Sequence, residues 1–232
     1  MTNPNSIVAI VPAAGVGSRM QSQLPKQYIE LQGKTVLEHS LNKLSRVDGV
    51  HHILVAISAT DDYFHSLELN TDIVKTVIGG KERADSVLAA LDALADNPPQ
   101  WVLVHDAARP LVDVTDINNL VKQCLQSGEG GILAAKVRDT IKRGDDYVHE
   151  TVPRDQLFQA LTPQFFPYQA LRQALMQALA EGVAITDEAS AMEWAQHKVR
   201  LVCGRSDNFK ITTPEDLQLA NFLLAQQVTE LL

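Results

Sequence analysis

Short runs of β-branched and aliphatic residues alternate along this chain with longer segments that carry a helical pattern of apolar residues. Five runs have the character of buried strands: residues 7–11, 51–57, 73–78, 101–105 and 131–135. Helical stripes separate them, for instance over residues 36–44 and 87–94. This alternation predicts an α/β fold with a doubly wound, mainly parallel sheet. Ligands of such sheets bind beyond the carboxyl ends of the strands, so functional residues are expected there.

The alternation breaks over residues 136–162, where two polar and apolar stretches flank the turn Gly144-Asp145-Asp146. This pattern predicts a β-hairpin arm. The arm has few apolar residues of its own, so we expect it to pack on a second subunit or to fold over a site.

The remaining segments predict two helices over residues 168–181 and 186–197, a strand over residues 199–202, and a final helix. Pro214 suits the first position of that helix, and Thr213 suits its N-cap. With 232 residues the chain is long for one domain and short for two. We therefore expect a single domain over residues 1–232, with the arm as an excursion from it.

The overall charge restricts the partners. The formal net charge is -8, so an anionic ligand has to be met by a local cluster of Lys and Arg. The same acidity argues against nucleic acid as a partner. The first residues, MTNPNSIVAIVPAAG, show no basic segment before their short apolar stretch, and we expect neither export nor membrane insertion. Cys124 and Cys203 stand alone, without metal-ligand spacing, which favours a reducing cytoplasm.

The loop over residues 12–26 follows the first predicted strand directly and reads PAAGVGSRMQSQLPK. Its small residues allow a close approach of the backbone to a ligand, whose phosphate oxygens backbone amides can then bind. Two cations, Arg19 and Lys26, lie in the same loop. Cations beside a glycine turn in an acidic protein indicate an anion site, and a triphosphate suits it. The small residues concerned are Ala13, Ala14, Gly15 and Gly17.

Other phosphate-binding motifs fit this region less well. The dinucleotide-binding fingerprint would require glycine at Met20, and Pro25 would interrupt its helix. A Walker loop ending at Gly33-Lys34-Thr35 would require glycine at Tyr28. A plain strand-to-helix turn with exposed basic residues is the structural alternative, and the clustered cations at a strand end favour function over it.

Asp106 and Arg109 follow the fourth predicted strand in the sequence HDAARP. A carboxylate there can accept from a ribose hydroxyl or hold Mg²⁺, and the arginine can bind a phosphate. On this motif alone, a surface ion pair is an equal alternative. We expect His105 to be a packing residue, because a phosphate monoester nucleophile is largely ionised at pH 7 and requires no general base.

Gly79 and Gly80 follow the third strand, and Ser86 stands at the start of a helix where it can bind a nucleotide. An ordinary early-helix serine is the alternative. Three polar residues bordered by apolar ones also stand out, although each alone is more often structural: Arg154, Thr162 and Lys210. Thr186-Asp187-Glu188 fits a helix cap better than a metal site.

Eight segments together carry a family resemblance: PAAGVGSRM, PKQY, GGKERADSV, VHDAARP, RDTIKR, ALTPQFF, TDEASAMEW and DNFKITTPEDL. In this order, over nearly the whole chain, they resemble the 2-C-methyl-D-erythritol 4-phosphate cytidylyltransferases of the non-mevalonate isoprenoid pathway. The resemblance implies a Rossmann-like nucleotidyltransferase domain that uses CTP and Mg²⁺ or another divalent cation. It also implies a homodimer in which the hairpin arms interlock near the active sites.

The resemblance assigns roles to matching residues. Arg19 and Lys26 would be catalytic, stabilising the triphosphate and the charge that develops at the α-phosphorus. The nucleotide would lie against Ala13, Ala14, Gly80, Ser86 and Asp106. The acceptor site would be lined by Arg109, Thr140, Arg154, Thr162 and Lys210, some of them from the second subunit. Mg²⁺ would be carried mainly by the CTP phosphates, with Asp106 as a further candidate ligand.

The implied reaction transfers CMP from CTP to the phosphate of 2-C-methyl-D-erythritol 4-phosphate and releases pyrophosphate. A ribitol 5-phosphate cytidylyltransferase would share most of these motifs, and Arg154 and Thr162 in their contexts favour methylerythritol phosphate. A non-catalytic nucleotide-binding subunit would be expected to lose Arg19 or Lys26, and both are present.

Overall fold

A computed structural model of the protein describes residues 6–15 and 24–229. Within these residues the chain forms eleven strands and six α-helices. The strands are β1 (Ile7–Pro12), β2 (Glu30–Leu31), β3 (Lys34–Thr35), β4 (Val50–Ile57), β5 (Val74–Ile78), β6 (Trp101–Val104), β7 (Gly131–Lys136), β8 (Ile141–Gly144), β9 (Val148–Val152), β10 (Phe158–Pro167) and β11 (Arg200–Cys203). The helices are α1 (Val36–Leu44), α2 (Arg83–Ala93), α3 (Val114–Ser127), α4 (Tyr168–Ala180), α5 (Glu188–Trp194) and α6 (Pro214–Thr229).

Seven of these strands form one twisted sheet in the order β11-β7-β10-β6-β1-β4-β5. All pairs are parallel except those made by β10, which runs antiparallel to both β6 and β7. The strands β1 and β6 lie near the centre and are almost wholly buried, as their continuous apolar sequences require. Their carboxyl ends lie next to each other at one edge of the sheet.

Helices cover both faces of the sheet. Helices α1 and α3 pack on one face, with Leu41 and Leu120 in the core between them and the strands. Helices α2, α4 and α5 pack on the other face, with Leu91 and Leu175 in a second core. A third, smaller apolar cluster joins α6 to the segment around β2. The prediction of a doubly wound, mainly parallel α/β fold is confirmed.

Strand β10 is missing from the sequence-based prediction, which assigned residues 158–162 to the arm. The segment contains Pro163 and Pro167, and prolines argue against an interior strand. It nevertheless pairs with β7 through residues 158–160 and 164–165, and with β6 through residues 164–167. The register shifts between Ala160 and Gln164, so the stretch with Pro163 interrupts the pairing with β7 instead of breaking the strand.

The arm is the hairpin of β8 and β9, which pair with each other in a sheet of their own. Most of its residues are exposed, including Tyr147 at 81% and Val148 at 63%. Tyr147 and Val148 are adjacent, so together they place apolar side chains at the surface where β9 begins.

Helix ends agree with the predicted caps. Asp187 caps α5 by accepting from the backbone N–H of Ser190 at 2.9 Å. Thr213 accepts from the backbone N–H of Asp216 at 3.3 Å at the start of α6. Helix α5 ends at Trp194, three residues before the predicted end, and Gln196 then takes a positive φ of 61°.

None of the helices that the structure describes combines the length and apolar character needed to span a membrane.

Candidate active site

A pocket of about 200 Å³ opens at the carboxyl edge of the sheet, where β1 and β6 end and the turn after β5 begins. It collects residues that are far apart in the chain: Pro12, Ala13, Ala14, Gly15, Lys26, Gln27, Gly80, Lys81, Glu82, Arg83, Ser86, Asp106, Ala107, Ala108 and Lys210. Eight of the predicted site residues are therefore brought together: Ala13, Ala14, Gly15, Lys26, Gly80, Ser86, Asp106 and Lys210. Gly17 and Arg19 lie outside the described residues.

A larger cavity, of about 860 Å³, lies at the opposite edge of the sheet beside the amino ends of β1 and β4. Ligands of parallel sheets bind at the carboxyl edge, where charged groups also converge in this protein. The smaller pocket is therefore the candidate active site.

The backbone after β1 is held in place by Gln27, which is 4% exposed. Its side-chain amide donates to the carbonyl of Ala13 at 2.8 Å and to that of Gly15 at 3.2 Å. The backbone N–H of Ala13 donates to Ala56 on β4 at 2.8 Å. These bonds fix the path of the chain along the wall of the pocket.

Lys26 lies in a 3₁₀ turn (Lys26–Tyr28) on the same side of the pocket. Its Nζ donates to the backbone carbonyl of Ile211 at 3.0 Å, across 185 positions of sequence. Ile211 follows Lys210, so this bond brings the two lysines to one side of the site.

The turn after β5 forms another wall and leaves no room for side chains. A Cβ at Gly79 would stand 2.8 Å from both the Cβ of Ala14 and the Oγ of Ser86. Ser86, in the first turn of α2, accepts from the backbone N–H of Gly80 at 3.1 Å and donates to the carbonyl of Glu82 at 3.1 Å. The two glycines therefore allow the backbone to lie against the pocket.

Asp106 is the electrostatic centre of the site. Its Oδ1 accepts from Nε of Arg83 at 2.9 Å, and its Oδ2 lies 3.1 Å from Nζ of Lys210 and 3.3 Å from Nε of Arg109. Burial alone would raise the pKa of Asp106, but the three surrounding cations outweigh burial and hold this pKa far below its usual range. The carboxylate is thus ionised, and both of its oxygens are occupied.

Arg83 is clamped from its other side by Glu188, at the start of α5. The two terminal nitrogens of Arg83 donate to the two carboxylate oxygens of Glu188 at 2.7 and 2.9 Å. The side chain of Glu188 is 1% exposed, whereas that of Arg83 is 24% exposed and reaches the pocket. Burial would lower the pKa of Arg83, but the carboxylates of Glu188 and Asp106 raise it above its ordinary value.

His105 is fully buried behind Asp106 and takes no part in the pocket. Its Nε2 lies 3.1 Å from the carbonyl of Arg109, and its Nδ1 lies 3.0 Å from the hydroxyl of Thr162. A carbonyl can only accept, so Nε2 carries the proton and Nδ1 accepts from the hydroxyl. Burial lowers the pKa of His105 to about 4, against partial opposition from Asp106. A buried, neutral and fully bonded ring agrees with the predicted packing role.

Thr162 and Arg109 lie beside the pocket and are tied to it by Asp106 and Asn208. The hydroxyl of Thr162 accepts from the backbone N–H of Asp106 at 3.1 Å, and its carbonyl accepts from the side-chain amide of Asn208 at 2.8 Å. Arg109 donates from Nη1 to the carbonyl of Asn208 at 2.7 Å. These contacts place two predicted acceptor residues next to Asp106.

Thr140 and Arg154 are not brought into this pocket. Both are exposed residues at the base of the arm, on either side of the β8–β9 hairpin. Arg154 donates to the backbone carbonyl of Arg138, also in the arm. In this chain, the arm therefore holds these two residues apart from the lining of the pocket.

Sequence reasoning missed Arg83 and Glu188. Arg83 lies within GGKERADSV, where its charge next to a glycine turn is the available signal. Glu188 was interpreted through the helix dipole alone. Its partner is 105 positions away, and no local pattern reveals such a pair.

The charges at the site leave a positive excess. Five cations, Lys26, Lys81, Arg83, Arg109 and Lys210, stand against three carboxylates, Glu82, Asp106 and Glu188. Among the described residues, His, Cys, Asp and Glu form no group of three or more that could hold a metal. The arrangement suits a polyanionic ligand such as a nucleoside triphosphate.

Comparison with known proteins gives a consistent result. The sequence model of the family named 2-C-methyl-D-erythritol 4-phosphate cytidylyltransferase matches residues 7–226. A protein of that name from Pseudoalteromonas translucida is 62% identical over 231 residues, which span 99% of this chain and 95% of the relative.

Solved structures show the same likeness. A crystal structure of a 4-diphosphocytidyl-2C-methyl-D-erythritol synthase aligns with a TM-score of 0.82 at 36% identity, covering 94% of this chain and 98% of that one. The 2-C-methyl-D-erythritol 4-phosphate cytidylyltransferase of Francisella tularensis aligns with a TM-score of 0.81 at 35% identity, covering 94% and 99% of the two chains.

Proposed function

Because the chain belongs to the 2-C-methyl-D-erythritol 4-phosphate cytidylyltransferase family, it transfers CMP from CTP to that polyol phosphate in isoprenoid biosynthesis, and we propose that the pocket around Asp106 is where the transfer occurs. The observation that carries this proposal is the excess of cations around one buried carboxylate at the carboxyl edge of the sheet. An acidic protein that concentrates cations at this edge is built to hold anions there.

In the proposed mechanism, a phosphate oxygen of the acceptor attacks the α-phosphorus of CTP in line with the departing group. The new P–O bond forms as the bond to the β-phosphate bridging oxygen breaks, and pyrophosphate leaves with that electron pair. The acceptor phosphate is largely ionised at pH 7, so it attacks without a general base. His105 is buried, and both of its ring nitrogens are hydrogen-bonded within the protein. This agrees with a reaction that needs no general base from the protein.

The nucleotide half of the proposed site is the wall formed by the loop after β1, the turn after β5 and Asp106. We assign nucleotide binding to Ala13, Ala14, Gly15, Gly17, Gly80, Ser86 and Asp106. Lys26 and Arg19 are proposed as the catalytic cations that stabilise charge at the transferring phosphorus, since such charge grows in the transition state. Gly17 and Arg19 lie outside the described residues, so Gly17 is assigned from the composition of the loop, and Arg19 from the loop's clustered cations and the family resemblance.

The acceptor half is proposed to be Arg109, Thr162 and Lys210 together with Thr140 and Arg154. The first three lie around Asp106, whereas the last two lie on the arm. We propose that the protein is a homodimer in which the arm of one subunit supplies Thr140 and Arg154 to the pocket of the other. The exposed apolar residues of the arm support this arrangement.

We propose that Mg²⁺ reaches the site on the phosphates of CTP. The residues present do not fit direct ligation by Asp106, because three cations already occupy both of its oxygens. Mg²⁺ commonly keeps its waters and binds through substrate phosphates, where it neutralises charge on the triphosphate.

We also propose a cytoplasmic location, in line with two free cysteines, Cys124 and Cys203.

The test is a direct assay. The purified protein is incubated with CTP and Mg²⁺ plus either 2-C-methyl-D-erythritol 4-phosphate or ribitol 5-phosphate, and pyrophosphate release is measured. We expect release with the methylerythritol phosphate and much less with the ribitol phosphate. Release with ribitol 5-phosphate alone would contradict the acceptor assignment.

A further inference from the structure

The guanidinium of Arg83 lies between two carboxylates that belong to distant parts of the chain. Its Nε donates to Asp106 at 2.9 Å, and its two terminal nitrogens hold Glu188 at 2.7 and 2.9 Å. A planar fork that binds two acceptors in fixed directions has little freedom to turn. Arg83 therefore presents Asp106 with a donor in one set position.

Glu188 is itself fixed by strand β10. The side-chain oxygen of Gln164 accepts from the backbone N–H of Ala189 at 2.8 Å, and its amide donates to Asp187 at 2.9 Å. Gln164 is 1% exposed and lies two positions after Thr162. The start of α5, and with it Glu188, is thus tied to the strand that carries a proposed acceptor residue.

Beyond Asp106 the row of charges continues to Arg109 and Lys210, which share the second carboxylate oxygen. The order is Glu188, Arg83, Asp106 and then the two acceptor cations, with alternating sign. Asp106 can hold Arg109 and Lys210 at one place only if its own carboxylate cannot rotate. The bond from Arg83 to the other oxygen provides that restraint.

We propose that Arg83 is a positioning residue for the transfer reaction: held by Glu188, it fixes the carboxylate of Asp106, and through it the places of Arg109 and Lys210. The inference rests on the proposed function of the pocket and deepens it. Without Arg83 the carboxylate turns fully toward the two acceptor cations and draws them away from the acceptor phosphate. Displacements of about 1 Å in such groups can reduce rates by about a hundredfold.

A simple Arg83→Gln change is ambiguous, because it leaves the buried Glu188 without its partner and can unfold the protein. The decisive variant is the double change Arg83→Gln with Glu188→Gln, which removes both charges and keeps two amides that can bond to each other. The matched control is Arg172→Gln, which breaks the exposed Arg172–Asp92 pair between α4 and α2. Thermal stability is measured first, then kcat and KM with each substrate varied in turn.

We expect the double variant to be folded and close to wild type in stability. Its kcat/KM for the acceptor should fall about 10- to 100-fold, while KM for CTP changes less than about threefold. Glu188→Gln alone retains the bond from Arg83 to Asp106 and should show a smaller loss of the same kind. Arg172→Gln should match wild type in both constants.

Two results would overturn the inference. If either folded variant keeps the wild-type kcat/KM for the acceptor, the pair is structural only. If KM for CTP rises while the acceptor constants are unchanged, Arg83 contacts the nucleotide directly and does not act through Asp106. Should the double variant fail to fold, Glu188→Gln decides by the same criterion. Absence of turnover in the wild-type protein would instead contradict the proposed function.

Discussion

At the scale of single residues, Asp106 shows how the fold makes a buried charge useful. Taking a carboxylate out of water is costly unless it is paired. Here three cations surround it, and they hold its pKa below the usual range despite burial. The same contacts keep the cations from repelling one another before a ligand arrives. A buried ionised group thus prepares an anion site in advance of binding.

Lys26 is the described residue for which a catalytic role is most directly testable. Lys26→Ala should lower kcat by about 100- to 1000-fold and raise KM for CTP by much less, because the charge that Lys26 meets grows in the transition state. Steady-state kinetics with CTP varied at saturating acceptor measure both constants. Lys34→Ala, at an exposed position nearby, is the control and should match wild type. An unchanged kcat with weaker CTP binding alone would exclude this role for Lys26.

Single residues also show what a sequence can and cannot predict about this site. Asp106 and Ser86 were predicted because each directly follows a strand or opens a helix, and strand ends meet at one edge. Arg83 was missed although it lines the same pocket, since its importance comes from Glu188, which is distant in sequence. An ion pair between remote segments depends on tertiary packing, so it cannot be predicted from the local sequence pattern around either residue.

At the scale of elements, β10 joins the two halves of the fold. It lies in the sheet between β6 and β7, antiparallel to both. It places Thr162 next to Asp106, which follows the carboxyl end of β6. The parallel strands were predictable from their apolar runs. Strand β10 was not, because Pro163 and Pro167 argue against an interior strand; in the fold, Pro163 lies where the pairing with β7 is interrupted and Pro167 is the last residue of the strand.

The arm is the element whose proposed role depends on a second subunit. If it serves the partner's pocket, subunits defective in different halves should complement each other. Arg154→Ala removes an arm residue, and Lys210→Ala removes a pocket residue. Mixed in equal amounts and allowed to exchange, half of the dimers carry both kinds of subunit, and each of these has one intact site. Activity should recover to about a quarter of wild type, although each variant alone is nearly inactive.

The control for this experiment mixes Arg109→Ala with Lys210→Ala. Both residues contact Asp106 in the same subunit, so a mixed dimer retains no intact site and activity should stay low. If mixing with Arg154→Ala gives no more recovery than this control, the arm does not act across subunits. Sedimentation of the wild-type protein as a monomer would contradict the proposed dimer itself.

At the scale of the whole molecule, buried titratable groups make stability depend on pH. Burial lowers the pKa of His105 to about 4, below the value of about 6.5 in an unfolded chain. Between these two pH values, His105 binds a proton in the unfolded state but not in the folded state. The free energy of unfolding therefore falls as the pH falls from 6.5 to 4. The loss from this residue is about 3 kcal/mol. The half-buried His39, whose pKa is lowered chiefly by burial, acts in the same direction.

This expectation is checked by urea denaturation of wild type and His105→Gln at several pH values between 4 and 7. The free energy of unfolding of the variant should depend on pH less steeply than that of wild type, although its value near pH 7 is lower. Gln126→Ala, an exposed substitution that removes no titrating group, should leave the slope unchanged. Parallel slopes for wild type and His105→Gln would show that His105 takes up its proton in the folded state as readily as in the unfolded one.

The short segment from His105 to Arg109 has a further consequence for how the enzyme releases what it makes. One oxygen of Asp106 bonds to Arg83, beside the proposed nucleotide wall, and the other contacts the proposed acceptor cations. A molecule that contains both a cytidine diphosphate and the polyol is tethered at two points, so its second contact forms at a high effective concentration. The product is such a molecule. We therefore expect the enzyme to retain its own product more tightly than either part of it, and departure of the product to limit turnover at saturating substrate.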